Sequence, residues 1–210
     1  NDVATITGTA TGGVTEDSTL TTSGTLVVHD DHNENHFKAV DASALNGTYG
    51  TFTFNDGAWG YTLNNGSTAV QELTGGQKVQ DVLKVTSLDG TATQDIIVTV
   101  TGTNDKASIS GTSTGGVIED GTATTNGLLT LSDVDKGEAH FKAVDASALV
   151  GTYGTFTFND GAWGYTLNND SDVVQSLRGG EQVQDVLKVT SLDGTATQDI
   201  VVTVTGTNDR

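Results

Sequence analysis

The chain has 210 residues, 27 acidic against 9 basic, with a net charge of −18 and no cysteine, methionine or proline. Such acidity argues against nucleic acid, whose phosphates demand Lys and Arg, and the lack of cysteine removes any disulfide framework or thiolate metal site. No segment approaches the roughly 18 apolar residues that a membrane-spanning helix requires, so no membrane insertion is expected.

Thr and Gly, 37 and 27 in number, favour half-buried strands and turns, and no stretch carries a sustained helical apolar stripe. In chain order, seven strands are predicted in the first half, near residues 3–8, 20–28, 36–40, 49–54, 59–63, 79–86 and 94–101. The alternation in "TFTF", "GYTL" and "DIIVTVTG" turns one side of each run inward. Tight hairpins are expected at "NDG" (55–57), at Asp89-Gly90 and at Asp193-Gly194. Phe52, Phe54, Trp59 and Tyr61 alternate along one such hairpin and are read as core, in preference to a sugar-binding platform.

The second half repeats the first. Placed 104 residues apart, 47–105 and 151–209 agree at 51 of 59 positions. Nearer the start the offset is 103, matching "TGGVTED" to "TGGVIED", so the first copy lacks one residue between Asp31 and His36. Two domains are expected, 1–103 and 104–210, each of about 100 residues and able to bury its own core. Seven short strands with regular turns imply an all-β chain of two tandem immunoglobulin- or cadherin-like β-sandwiches.

The acids are distributed unevenly. Asp133 and Asp135 stand in the loop after the second strand of the second copy, and Asp193 in its last hairpin. In an immunoglobulin-type sandwich both loops emerge at the end where the first strand enters, the place of Asn104 and Asp105. Glu16 and Gln77 are expected at the opposite pole of the first copy. Two like charges about 4 Å apart repel by roughly 4 kcal/mol at an effective dielectric near 20, a cost that a cation removes. Carboxylates, amides and carbonyls without thiolate form a hard oxygen set, which favours Ca²⁺ over Mg²⁺, copper or structural zinc. His29, His32 and His36 crowd one loop and raise zinc as an alternative, although only His36 recurs, as His140.

The pattern "G-x-V-x-E-D … D-x-D … GTYGTFTFNDGAWGYTL … L-x-G-G-E … VTSLDGT … VTVTGTND" resembles the VCBS repeat of giant bacterial adhesins and, more distantly, is similar to cadherin repeats. The resemblance covers nearly all of both copies. It implies inter-repeat calcium ligands at Glu16, Asn104, Asp105, Asp133, Asp135 and Asp193, with Thr103 beside them. Further candidates at the equivalent ends are Asp2, Asp30, Asp89, Glu119, Glu181, Asn208 and Asp209. It also implies a secreted protein at the bacterial cell surface, exported by type I secretion, whose monomeric arrays contact neighbouring repeats and carry a distal adhesive head. Host glycans or proteins would be met through other domains. The first copy departs from the pattern: His32 replaces the second copy's Asp135, and Gln77 replaces Glu181. The N-terminal site of the first copy is therefore expected to be weaker than the central one, and the central junction, one carboxylate short on its upstream side, to hold fewer ions than a full cadherin junction.

No nucleophile motif or paired acid–base constellation recurs in both copies, so an enzyme is not expected. A calcium-stiffened spacer is the first reading. A carbohydrate- or protein-binding adhesive module is the alternative, and it requires an exposed patch away from the acidic ends.

Overall fold

The computed structural model describes residues 2–32 and 34–208. The chain divides into two compact units, Asn1–Asp105 and Lys106–Arg210. The first contains β1 (Thr5–Gly8), β2 (Thr11–Thr15), β3 (Thr21–His29), β4 (Gly50–Asn55), β5 (Ala58–Leu63), β6 (Lys78–Thr86) and β7 (Thr93–Thr101). The second repeats them as β8 (Ser108–Gly111), β9 (Thr114–Ile118), β10 (Thr124–Ser132), β11 (Gly154–Asn159), β12 (Ala162–Leu167), β13 (Gln182–Thr190) and β14 (Thr197–Thr205). Helix is confined to single turns, including α1 (Thr68–Gln71) and α2 (Asp172–Gln175).

Each unit is a sandwich of a four-stranded sheet, β1-β3-β5-β4 or β8-β10-β12-β11, and a three-stranded sheet, β2-β7-β6 or β9-β14-β13. Every pairing is antiparallel except β2 with β7 and β9 with β14, which run parallel. The period-2 reading holds where it was most regular. In β7, Ile96, Val98 and Val100 are fully buried, and in β6, Leu83 and Val85 join them. Phe52, Trp59 and Tyr61 lie in the same core, and Phe54 packs partly buried against it, edge to face with Phe37. Phe52, Trp59 and Tyr61 are buried and so form no exposed sugar-binding platform. The Trp59 indole N–H donates to the Thr9 carbonyl at 2.7 Å, which satisfies its one polar atom. Gly24 makes room for it, since a Cβ there would lie 2.7 Å from the indole ring.

Two strand expectations change. The stretch 36–40 is no strand: it makes one bridge, Phe37 to Ser87, and of its side chains only Phe37 is buried. A strand is found instead at Thr11–Thr15, where Gly12 and Gly13 lower the propensity that would have announced it. Its parallel partner β7 supplies the ladder, and a Cβ on Gly12 would meet the Thr22 side chain at 2.6 Å. The hairpins divide likewise. Asp56-Gly57 closes a two-residue turn with φ of 44° and 98°, as the primed turn geometry demands. Asp89-Gly90 sits within a longer loop, in which the Ser87 N–H donates to the Ala92 carbonyl and the Gly90 N–H to the Ser87 carbonyl.

One inward position of β6 is an acid. Asp81, 4% exposed, accepts from the backbone N–H groups of Thr48 (2.8 Å), Tyr49 (2.9 Å) and Gly50 (3.0 Å), and from the Tyr61 hydroxyl (2.7 Å). Asp185 repeats all four bonds with Thr152, Tyr153, Gly154 and Tyr165. Burial and then the adjoining carboxylate push both tyrosine hydroxyls far above their ordinary range, so each stays a proton donor. The carboxylate thereby ties the long loop after β3 to the opposite sheet.

Candidate metal centres

At one end of the second unit, the loop after β10 folds three acids back on themselves. Asp133 Oδ1 accepts from the Asp135 N–H at 2.9 Å, Gly137 turns the chain at φ 83°, and the Glu138 N–H donates to the Asp135 carbonyl. Asp193 approaches from the β13–β14 loop, fixed by the Ser191 hydroxyl and the Thr195 N–H. Carboxylate oxygens of Asp133, Glu138 and Asp193 come within 4.8 Å of one another, and Asp135 beside them is 2% exposed. Asp133 Oδ2 and Glu138 Oε2 are buried without a hydrogen-bond partner among the described residues. Burial first, then the charges of Asp135, Asp133 and Asp193, push the Glu138 carboxyl above its ordinary range. Buried carboxylate oxygens facing like charges are costly, and a cation with oxygen-only coordination fits them.

The first unit repeats this arrangement with one acid fewer. Asp30, Glu34 and Asp89 gather within 4.8 Å, with Asp30 Oδ2 buried and without a hydrogen-bond partner among the described residues. Hydrogen bonds from the Ser87 and Thr91 hydroxyls hold Asp89 down to about 2. His32, in the position of Asp135, is exposed and lies 3.8 Å from Asp2. The loop histidines take separate partners, His29 with the Thr7 hydroxyl and His36 with Asp56. Among the described residues no His belongs to a group of three potential metal ligands.

At the other end of the first unit, Glu16, Asp17 and Asp105 form a third acidic group. Glu16 is fully buried: Oε2 accepts from the Thr103 N–H and Oε1 from the Gln71 amide, both at 2.9 Å. The Thr103 hydroxyl donates to the Glu16 carbonyl, and the Asn104 amide to the Asp105 carbonyl. Thr103 thus contributes as a positioning residue. In the second unit Glu119 is equally buried. Its Oε2 accepts from the Thr207 N–H at 2.8 Å, while Oε1 has no partner among the described residues. Asn208 accepts from the Gly179 N–H, and Asp209 lies outside the described residues. Gln77 and Glu181 turn back on their own loops, accepting from the N–H groups of Thr74 and Arg178, and neither joins an acidic group among the described residues.

Three ligand candidates escaped the sequence reading: Asp17, Glu34 and Glu138. A signal existed for the last two. At the 104-residue offset Glu34 aligns with Glu138, the one acid of this loop, besides Asp30/Asp133, that both copies keep.

Residues 104–206 match the bacterial cadherin-like domain. No curated protein matches the chain significantly. Among solved structures, the titin domains z1z2 in complex with telethonin align at 10% identity over 100% of this chain and 98% of that one, with a TM-score of 0.38. The extracellular cadherin domains 1–5 of protocadherin gamma B2 align at 14% identity over 99% of this chain and 40% of that one, with a TM-score of 0.44. The protocadherin gamma B4 extracellular domain aligns at 14% identity over 95% and 32%, with a TM-score of 0.43. The chain therefore spans less than half the length of either protocadherin. The second unit, a β-sandwich like the first, is thus similar over residues 104–206 to a bacterial cadherin-like domain.

Proposed function

We propose that the chain is a stretch of calcium-binding spacer repeats from a secreted bacterial surface adhesin, holding an adhesive domain away from the cell. The observation that carries this reading is the convergence of Asp133, Glu138 and Asp193, two of them with buried oxygens that lack a hydrogen-bond partner among the described residues. Ca²⁺ accepts six to eight oxygen ligands in flexible geometry, which suits carboxylates delivered by two loops. Glu16, Asp17 and Asp105, joined by Asn104, offer a second oxygen set at the end of the first unit. Extracellular modules bind calcium at roughly 10⁻⁴–10⁻³ M, so external calcium fills such sites and cytosolic calcium does not. With the repeat boundary at Thr103/Asn104, calcium then stiffens the array after export. Cadherin-like repeats act as structure, and no turnover is assigned to this chain.

Isothermal titration with calcium, and with magnesium as control, tests the site. Millimolar-range calcium binding that Glu138→Gln and Asp133→Asn weaken is the expected result. Stoichiometric binding unchanged in both variants, or none in the parent, overturns the assignment. Small-angle scattering in calcium and in chelator then tests the spacer role, which requires a narrower distance distribution in calcium.

A further inference from the structure

The outer face of the four-stranded sheet differs from the rest of this acidic chain. On β10, β12 and β11, the register sets Thr155 beside Thr166, and Thr157 beside Gly164 and then Asn126. Asn159 follows in the next row, and no outward position in these paired rows carries a charge. Two shallow depressions adjoin along the strands, one of about 300 Å³ over Thr155 and Thr166, the next of about 400 Å³ between Asn126, Thr157 and Asn159. Gly164 forms the floor of the second. The first unit presents the same face, with Ser23 in place of Asn126.

Strand propensity alone would explain exposed threonine. It does not explain the charge distribution, because the outer face of the opposite sheet carries the pairs Lys84–Asp95 and Lys188–Asp199. A chain of net charge −18 has kept every acid off one trough. The trough offers hydroxyls and amides, each both donor and acceptor, along about 13 Å of strand. Thr is stiff at χ1, so these groups lose little entropy on engaging a ligand. The surrounding negative field repels polyanions, and an uncharged trough gives a cation nothing to pair with.

We infer that this face binds a neutral polysaccharide strand, laid along β11 and β12 and hydrogen-bonded by Thr157, Asn126 and Asn159. The inference is independent of the calcium reading, since the trough contains none of the acids.

Affinity electrophoresis through gels containing neutral glucan, mannan, galactan or xylan, with anionic alginate as the control polymer, provides the test. Retardation by at least one neutral polymer is expected, equally in calcium and in chelator, and none by alginate. The variant Thr53→Lys, Thr157→Lys, with its melting temperature checked against the parent, is expected to weaken retardation about tenfold, the equivalent of one lost hydrogen-bonding group. Lys188→Thr on the opposite face leaves it unchanged. No retardation by any neutral polymer, retardation by alginate alone, or full binding by the double variant overturns the inference. A calcium response that fails while retardation persists removes the spacer reading only.

Discussion

Asp185→Ala leaves four donors without the carboxylate they share. Two of them, the Gly154 N–H and the Tyr165 hydroxyl, are buried, and each then costs about 1–3 kcal/mol as an unsatisfied group. The Thr152 and Tyr153 N–H groups are only partly buried and can recruit water, which limits their loss to roughly 0.5–1 kcal/mol each. The sum is about 3–8 kcal/mol, against roughly 5–15 kcal/mol for a whole domain. At about 4–8 °C per kcal/mol for a domain of this size, even the low estimate lowers the melting temperature by more than about 10 °C. Asp81 in the first unit keeps its bonds, so it serves as an internal reference. Calorimetry of Asp185→Ala is therefore expected to split unfolding into a parent-like transition and a much earlier one. A single transition shifted by less than about 3 °C would refute the reasoning, since water would then replace the carboxylate at little cost.

Three further outcomes are expected. In calcium, Asp133→Asn lowers the melting temperature of the second unit, while Asp31→Ala does little, because a bound ion adds about 2.7 kcal/mol at a hundredfold excess over its dissociation constant. Thermal scans with calcium and with chelator distinguish the two variants. Asp160 accepts from the Phe141 N–H and from His140, and these bonds hold its carboxyl below the usual range. Its stabilisation is therefore present above the ordinary carboxylate pKa and lost as pH falls through the lowered folded value, so Asp160→Asn flattens the acid limb of a stability-against-pH curve. Gly127→Val drives a side chain into the Trp163 indole, which a Cβ would already approach to 2.7 Å, and costs about 1–3 kcal/mol by overpacking, readable in urea titration.

Much of the sandwich was legible because alternation and turn chemistry are local. "DIIVTVTG" announces β7, and Asn-Asp-Gly announces its turn without reference to the rest of the chain. What escaped was set by distant partners. β2 has poor strand residues and exists because β7 offers a parallel edge. Asp81 reads as one more surface acid until period 2 places it inward, and its four donors lie 20 to 33 residues away in sequence. The acidic loops were visible as composition. Glu138 was missed because its approach to Asp133 depends on the Gly137 turn and the bond to the Asp135 carbonyl, where spacing alone suggested only a D-x-D pair.

The parallel pairing of the second and last strands bears on how a unit responds to tension. β2 aligns with β7 from Thr11↔Ile97 to Thr15↔Thr101, and β9 aligns with β14 from Thr114↔Val201 to Ile118↔Thr205. When the two ends of a unit are pulled apart, parallel neighbours are dragged in opposite directions along their own axes. Their hydrogen bonds are then sheared together, whereas a hairpin pulled from its open end would unzip them one by one. A unit built this way resists rupture through its backbone ladder, with or without a bound ion. In single-molecule stretching the unfolding force is expected to survive chelation and to fall when proline replaces Gly13 or Gly116 and interrupts the ladder. A force that vanished with calcium would place the resistance in the acidic ends instead.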